Sequence, residues 1–138
     1  MSRIQNVLYT GKTRTTGGRD GEARSSDDRL AIKLSPPGSA GEGTNPEQLL
    51  AAGWSACFIG AMGLAARARH LALPQDTEVN TEVDLGTAGE EYFLQARLHV
   101  SLPGLDRDVA QSLVDAAHRT CPYSKALHGN IDIVTTIA

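Results

Sequence analysis

The chain has 138 residues, 41% of them hydrophobic, and a formal net charge of −3 at pH 7. That length suits one domain with a sizeable core and is short for two. A mildly acidic balance with no run of like charge argues against nucleic acid as a partner. The opening MSRIQNVLYT holds no apolar stretch of signal-peptide length, so the expected compartment is the cytoplasm. Two cysteines there rest as thiols, and any disulfide between them is transient and redox-active.

Residues 4–10 form the first predicted strand, running toward Thr16-Gly17-Gly18-Arg19-Asp20-Gly21. Three glycines around one arginine predict a hairpin turn there. From spacing alone, Arg19 reads as a solvated turn residue. Leu30, Ile32 and Leu34 alternate with Ala31 and Lys33, the pattern of a half-buried strand. Residues 36–43 are a loop rich in Pro, Gly and Ser. It leads into residues 44–70, the helix around which the rest is organised. Asn45 suits the cap, Pro46 the first helical position, and Gln48 completes the capping-box spacing. Glu47 puts negative charge in the first turn; Arg67, Arg69 and His70 put positive charge in the last.

Pro74 then breaks the helical pattern. Val79, Val83 and Leu85 mark a strand, and Tyr92, Leu94, Ala96, Leu98 and Val100 alternate cleanly in another. Leu102-Pro103-Gly104 turns the chain. Val109, Ala110, Leu113, Val114, Ala116 and Ala117 have helical spacing up to Thr120, and Cys121-Pro122 ends that helix because a residue before proline avoids the α region. A short segment closes at Gly129, and Ile131, Ile133 and Ile137 mark the last strand. The order predicts an α+β fold in a single domain, residues 1–138.

Residues 49–66 carry no charge. Eighteen such residues reach the lower edge of membrane-spanning length, but Ala and Gly dominate them and strand patterns surround them, so a buried helix is predicted rather than a membrane span. About 25 residues at 1.5 Å each give roughly 37 Å, about the diameter of a compact chain of this size. A helix apolar all round needs cover on every side. One small domain supplies too little, so a homodimer is expected. Gly53, Ala56, Gly60 and Gly63 lie on one stripe where a second backbone has room to approach.

Cys57 sits mid-helix in the apolar run, and Cys121 lies 64 residues later. Both are compatible with plain burial, since free cysteine behaves as a small hydrophobe. A reactive Cys57 needs help: apolar surroundings raise a thiol's pKa, and mid-helix the dipole contributes little. Bringing it from about 8.5 to about 6 takes roughly 3.4 kcal/mol of preferential stabilisation of the anion. A desolvated arginine steadied by a carboxylate provides that, and Arg19 and Glu47 are the candidates. In one straight helix Glu47 lies about 15 Å from Cys57 along the axis. Either the helix breaks near Gly53 or the carboxylate comes from a partner subunit. No CxxC or HxxxH spacing suggests a metal, and His70, His99, His118 and His128 read as surface or capping residues.

TGGRDG, GTNPEQLLAAGWSACFIGA, LPGLDRDVAQSLVDAAH and CPYS, in this order, closely resemble the organic hydroperoxide resistance proteins, a branch of the superfamily that includes osmotically inducible protein C. The resemblance covers essentially the whole chain. It implies an intertwined α+β homodimer with long central helices wrapped by antiparallel sheets, and a thiol peroxidase with no bound cofactor. It implies that Cys57 is the peroxidatic cysteine and Cys121 the resolving one, with Arg19 and Glu47 activating the thiolate. The implied reductant is a dihydrolipoyl group on a lipoylated protein. The family often has tyrosine where Trp54 stands, and Asn-Ala-Thr-Arg where Lys125-Ala126-Leu127-His128 stands.

On that reading the Cys57 thiolate attacks ROOH, becomes a sulfenic acid and condenses with Cys121. Trp54, Phe58, Ile59 and Met62, on the same helix, are candidates for a greasy entrance favouring bulky or fatty-acyl hydroperoxides, or else are core. The alternative is a non-catalytic stress-associated dimer that binds a small apolar ligand in the same crevice. A cysteine acyltransferase or hydrolase is more distant, as no histidine has a spacing that pairs it with Cys57.

Overall fold

The computed structural model describes residues 2–138 and divides into two compact units, one ending at Pro46 and the other Glu47–Ala138. In the first unit, β1 (Thr13–Thr16), β2 (Glu22–Ser25) and β3 (Ala31–Lys33) form an antiparallel sheet in that order. Thr16 pairs with Glu22, so residues 17–21 are the hairpin loop that the glycines predict. Gly17 and Gly18 adopt φ of 75° and 61°, the left-handed region that glycine enters without penalty. A Cβ on Gly21 would lie 1.8 Å from the Thr16 carbonyl oxygen, so the loop closes only over a bare Cα at that position. Leu34 follows β3, is buried, and bridges to Thr44.

Residues 4–10 are not a strand. Ile4, Val7, Leu8 and Tyr9 are all at least 67% exposed, and pairing begins only at Thr13. Alternation specifies which side chains share a face, but a strand exists only where a neighbour completes its hydrogen-bond ladder, and among the described residues none does.

The second unit contains α1 (Pro46–Ala68), β4 (Glu78–Ala88), β5 (Glu91–Ser101), α2 (Arg107–Thr120), α3 (Pro122–Leu127) and β6 (Asp132–Ile137). The first helix ends two residues short of His70, which adopts φ 58° and lets the Leu71 N–H reach back to the Ala66 carbonyl at 2.8 Å. Such a left-handed exit satisfies orphaned carbonyls at a helix end. β4 and β5 pair antiparallel from Glu78↔Ser101 to Ala88↔Glu91, a long hairpin turned at Gly89 (φ 62°). β6 lies on the other side of β5 and runs parallel to it, so this sheet is mixed rather than wholly antiparallel. The cause is the connection: α2 and α3 intervene, and a helical crossover returns the chain in the same direction.

Alternation along β5 sorts the sheet into two faces. Ala96, Leu98 and Val100 are almost fully buried and join Trp54, Phe58, Met62, Leu113, Val114 and Ala117 of α1 and α2 in one hydrophobic core. On the other face Arg97 forks onto Asp84 at 2.8 and 2.9 Å, and these hydrogen bonds hold that carboxyl well below the usual carboxylate range. α1 is long and apolar enough to cross a membrane by length and composition, yet only 28% of its most apolar eighteen residues are buried within this chain.

Candidate active site

Cys121 stands at a corner. The proline after it forces extended backbone (φ −63°, ψ 121°), so α2 ends there and α3 begins. Its N–H still bonds the Ala117 carbonyl at 2.8 Å, and its carbonyl accepts from the Lys125 N–H at 2.9 Å. The corner therefore closes one helix and opens the next, and it directs the fully buried Cys121 thiol at the half-buried Cys57 of α1. Their sulfurs lie 3.1 Å apart, a contact longer than the roughly 2.05 Å of a disulfide bond. Both cysteines are free thiols.

Burial pushes the Cys57 thiol above its ordinary value, and its contact with Cys121 adds to that; the Tyr123 backbone N–H pulls weakly the other way. Taking the anion out of water is the dominant effect. Within the second unit these influences favour the thiol over the thiolate.

A second contact runs parallel to the first. Trp54 precedes Cys57 by three residues on α1, and Ser124 follows Cys121 by three. The Trp54 indole N–H donates to the Ser124 hydroxyl at 3.0 Å. Residues three apart share a helix face, so each thiol and its polar companion are stacked one turn from each other. Ser124 is fully buried and also meets His118 Nδ1 at 3.2 Å, while His118 Nε2 meets the Thr135 hydroxyl of β6 at 2.9 Å. The Phe58 ring stands edge-on to the imidazole at 4.8 Å, and the His128 ring lies 5.1 Å from it. Burial first, and His128 second, lower the His118 pKa, with Asp115 opposing. His118 is thus a half-buried connector, not the surface or capping residue its position in the sequence suggests. The pairing of Trp54 with Ser124 was visible only as equal spacing from the two cysteines.

The remaining expected site residues fall as follows. Arg19 lies exposed in a single 3₁₀ turn, Gly18–Asp20, of the first unit. Glu47 is half-buried in the first turn of α1, and α1 continues unbroken past Gly53. The break that would bring Glu47 to Cys57 of the same chain therefore does not occur, and the axial separation stays at about 15 Å. Gly53 faces the Tyr123 ring: a Cβ there would meet its hydroxyl oxygen at 3.0 Å. Trp54, Phe58 and Met62 have no accessible surface and belong to the core. Those three pack against the sheet and α2, and Ile59 alone of the four stays partly exposed at the core's edge. Among the described residues no three His, Cys, Asp or Glu side chains converge to hold a metal ion.

The family model for OsmC-like protein matches residues 38–136, a span that contains both thiols and the Trp54–Ser124 contact. The chain belongs to the OsmC-like family. Within it the chain is an organic hydroperoxide resistance type. It is 46% identical to the organic hydroperoxide resistance protein of Xanthomonas axonopodis pv. citri, over an alignment covering all of both chains. The crystal structure of the organic hydroperoxide resistance protein OhrB of Bacillus subtilis matches with a TM-score of 0.89 and 39% identity, covering 96% of this chain and 100% of that one. A crystal structure from Legionella pneumophila, also described as an organic hydroperoxide resistance protein, matches with TM-score 0.89 and 37% identity over 96% of this chain and 99% of the other. The α+β fold above is therefore the OsmC-like fold.

Proposed function

We propose that this OsmC-like protein detoxifies organic hydroperoxides as a two-cysteine thiol peroxidase. The observation that carries the reading is the 3.1 Å contact between Cys57 and Cys121, in a chain whose relatives are named for organic hydroperoxide resistance. The Cys57 thiolate attacks the terminal oxygen of ROOH, the O–O bond breaks, and the alkoxide takes up a proton from water and leaves as ROH. Cys57 is then a sulfenic acid. The Cys121 sulfur displaces its hydroxyl, water leaves, and a Cys57–Cys121 disulfide remains. An external dithiol, for which a dihydrolipoyl group on a lipoylated protein is the proposed source, reopens that disulfide by exchange. No bound cofactor takes part.

Since burial raises the Cys57 pKa, a cation must offset it, and Arg19 steadied by Glu47 is that cation. With α1 unbroken, the carboxylate serving Cys57 is the Glu47 of a partner subunit, so the working unit is a homodimer. A second copy also covers the part of α1 left bare here, where Ala52, Ala56, Gly60 and Leu64 are exposed. Substrates with apolar tails fit a thiol set at the edge of a hydrophobic core.

Turnover of cumene hydroperoxide with a dihydrolipoyl reductant tests the reading. Cys57→Ser is expected to abolish consumption, and Cys121→Ser to allow one turnover before Cys57 is overoxidised. Steady turnover by Cys57→Ser would sink the assignment. Equal kcat/KM for cumene hydroperoxide and hydrogen peroxide would contradict the apolar substrate class, and consumption driven as well by thioredoxin would contradict the lipoyl one.

A further inference from the structure

We infer that His118 is a positioning residue for the second thiol: through Ser124 it fixes the short helix that carries Cys121 so that resolution outruns overoxidation. This rests on the two-cysteine reading above and adds to it how the second step is kept fast.

α3 has six residues, and a helix of that length has no stability of its own. Its attitude is set by whatever grips it. Cys121 is the residue on which it starts, and three residues later Ser124 sits fully buried with two side-chain partners. One is the Trp54 indole of α1, the helix that carries Cys57. The other is His118 of α2, whose far nitrogen is tied to Thr135 of β6. The sulfur contact and the Trp54–Ser124 contact are thus two rungs, one helical turn apart, between α1 and the Cys121 corner. Any slide or rotation of α3 that parts the sulfurs must also break the second rung.

The hydrogen-bond directions follow from what each group can give. The indole only donates, so the Ser124 oxygen accepts from it; toward His118 Nδ1 the hydroxyl either donates its O–H or accepts with its second lone pair, according to the tautomer of the ring. Burial favours the neutral imidazole. The groups that bear on its charge are Asp115 on its own helix and His128 at the end of α3; α1 and β6 present the uncharged Phe58, Trp54 and Thr135. In either tautomer the Ser124–His118 contact ties α3 to α2.

The step at stake balances simply. Cys121–SH attacks Cys57–SOH, the S–O bond breaks, water leaves, and the new disulfide oxidises Cys121. If Cys121 is displaced, a second ROOH instead adds oxygen to Cys57–SOH, giving the sulfinic acid and ROH. A misplacement near 1 Å is enough to slow such a step by about 100-fold.

The test uses full-length reduced protein, rapidly mixed with excess cumene hydroperoxide without reductant and read by mass spectrometry. It follows loss of the Cys57 thiol and the partition between disulfide and Cys57 sulfinic acid. Ser124→Ala and His118→Leu are expected to lose the thiol at the wild-type rate within about twofold. Their sulfinic fraction is expected to rise at least tenfold. His118→Asn, which keeps an acceptor toward Ser124 and does not titrate, should restore the wild-type partition at pH 7.5. Wild-type partition in Ser124→Ala, a substitution small enough to leave the fold intact, overturns the inference while leaving the peroxidase reading standing. So does a sulfinic fraction in His118→Asn as high as that of His118→Leu. An unoxidised Cys57 in the wild type overturns both.

Discussion

Cys57 meets opposing demands: the apolar setting that suits a greasy substrate also disfavours its anion. If the Arg19 guanidinium resolves that conflict, Arg19→Ala should move the pH profile of Cys57 alkylation upward by at least one pH unit and slow peroxide consumption about tenfold or more. An unchanged profile would remove Arg19 from the activating role. His118 offers a separate test, on stability. Its folded pKa lies below the ordinary 6.5, so the unfolded chain binds the proton more readily. The stability it contributes is complete above about pH 6.5 and is lost as the pH falls through the folded value. Wild-type Tm should therefore drop by more between pH 7 and pH 5 than that of His118→Asn; equal drops would contradict the burial of a neutral ring. Both thiols could be singled out from the sequence. Ser124 and its pairing with Trp54 could not, because the two are 70 residues apart and only the fold shows that they meet.

Helices and strands were legible where one chain supplies everything they need. The proline at the start of α1, the Cys121-Pro122 corner and the alternation of β5 each have a local physical cause, and each element lies within a few residues of its expected place. Residues 4–10 failed that condition, since no strand among the described residues pairs with them. The direction of β6 needed the crossover, which no residue of β6 encodes. The glycine loop before β2 gives the sharpest test at this scale. Gly21→Ala puts a methyl into the Thr16 carbonyl, and relief requires the backbone of the Arg19 turn to shift, at about 1–3 kcal/mol. On the proposed mechanism the variant should resemble Arg19→Ala in its alkylation profile even though the arginine is still present. A wild-type profile would show that the shape of the turn is irrelevant.

At the scale of the whole molecule, the uneven cover of α1 calls for a partner. Leu64 is 62% exposed on a helix whose opposite face lies in the core, and the residues of its bare face are apolar. If the proposed homodimer buries that face, Leu64→Glu should shift the protein toward monomer in light scattering and cut peroxide turnover. A monomeric wild type with full activity would contradict this. The claim on which everything else depends concerns the two thiols themselves. Reduced protein should be titrated for free thiols before and after one equivalent of cumene hydroperoxide, with the alcohol measured in parallel. The account predicts two thiols lost per chain and one cumyl alcohol formed; two thiols remaining, with the hydroperoxide intact, would contradict it.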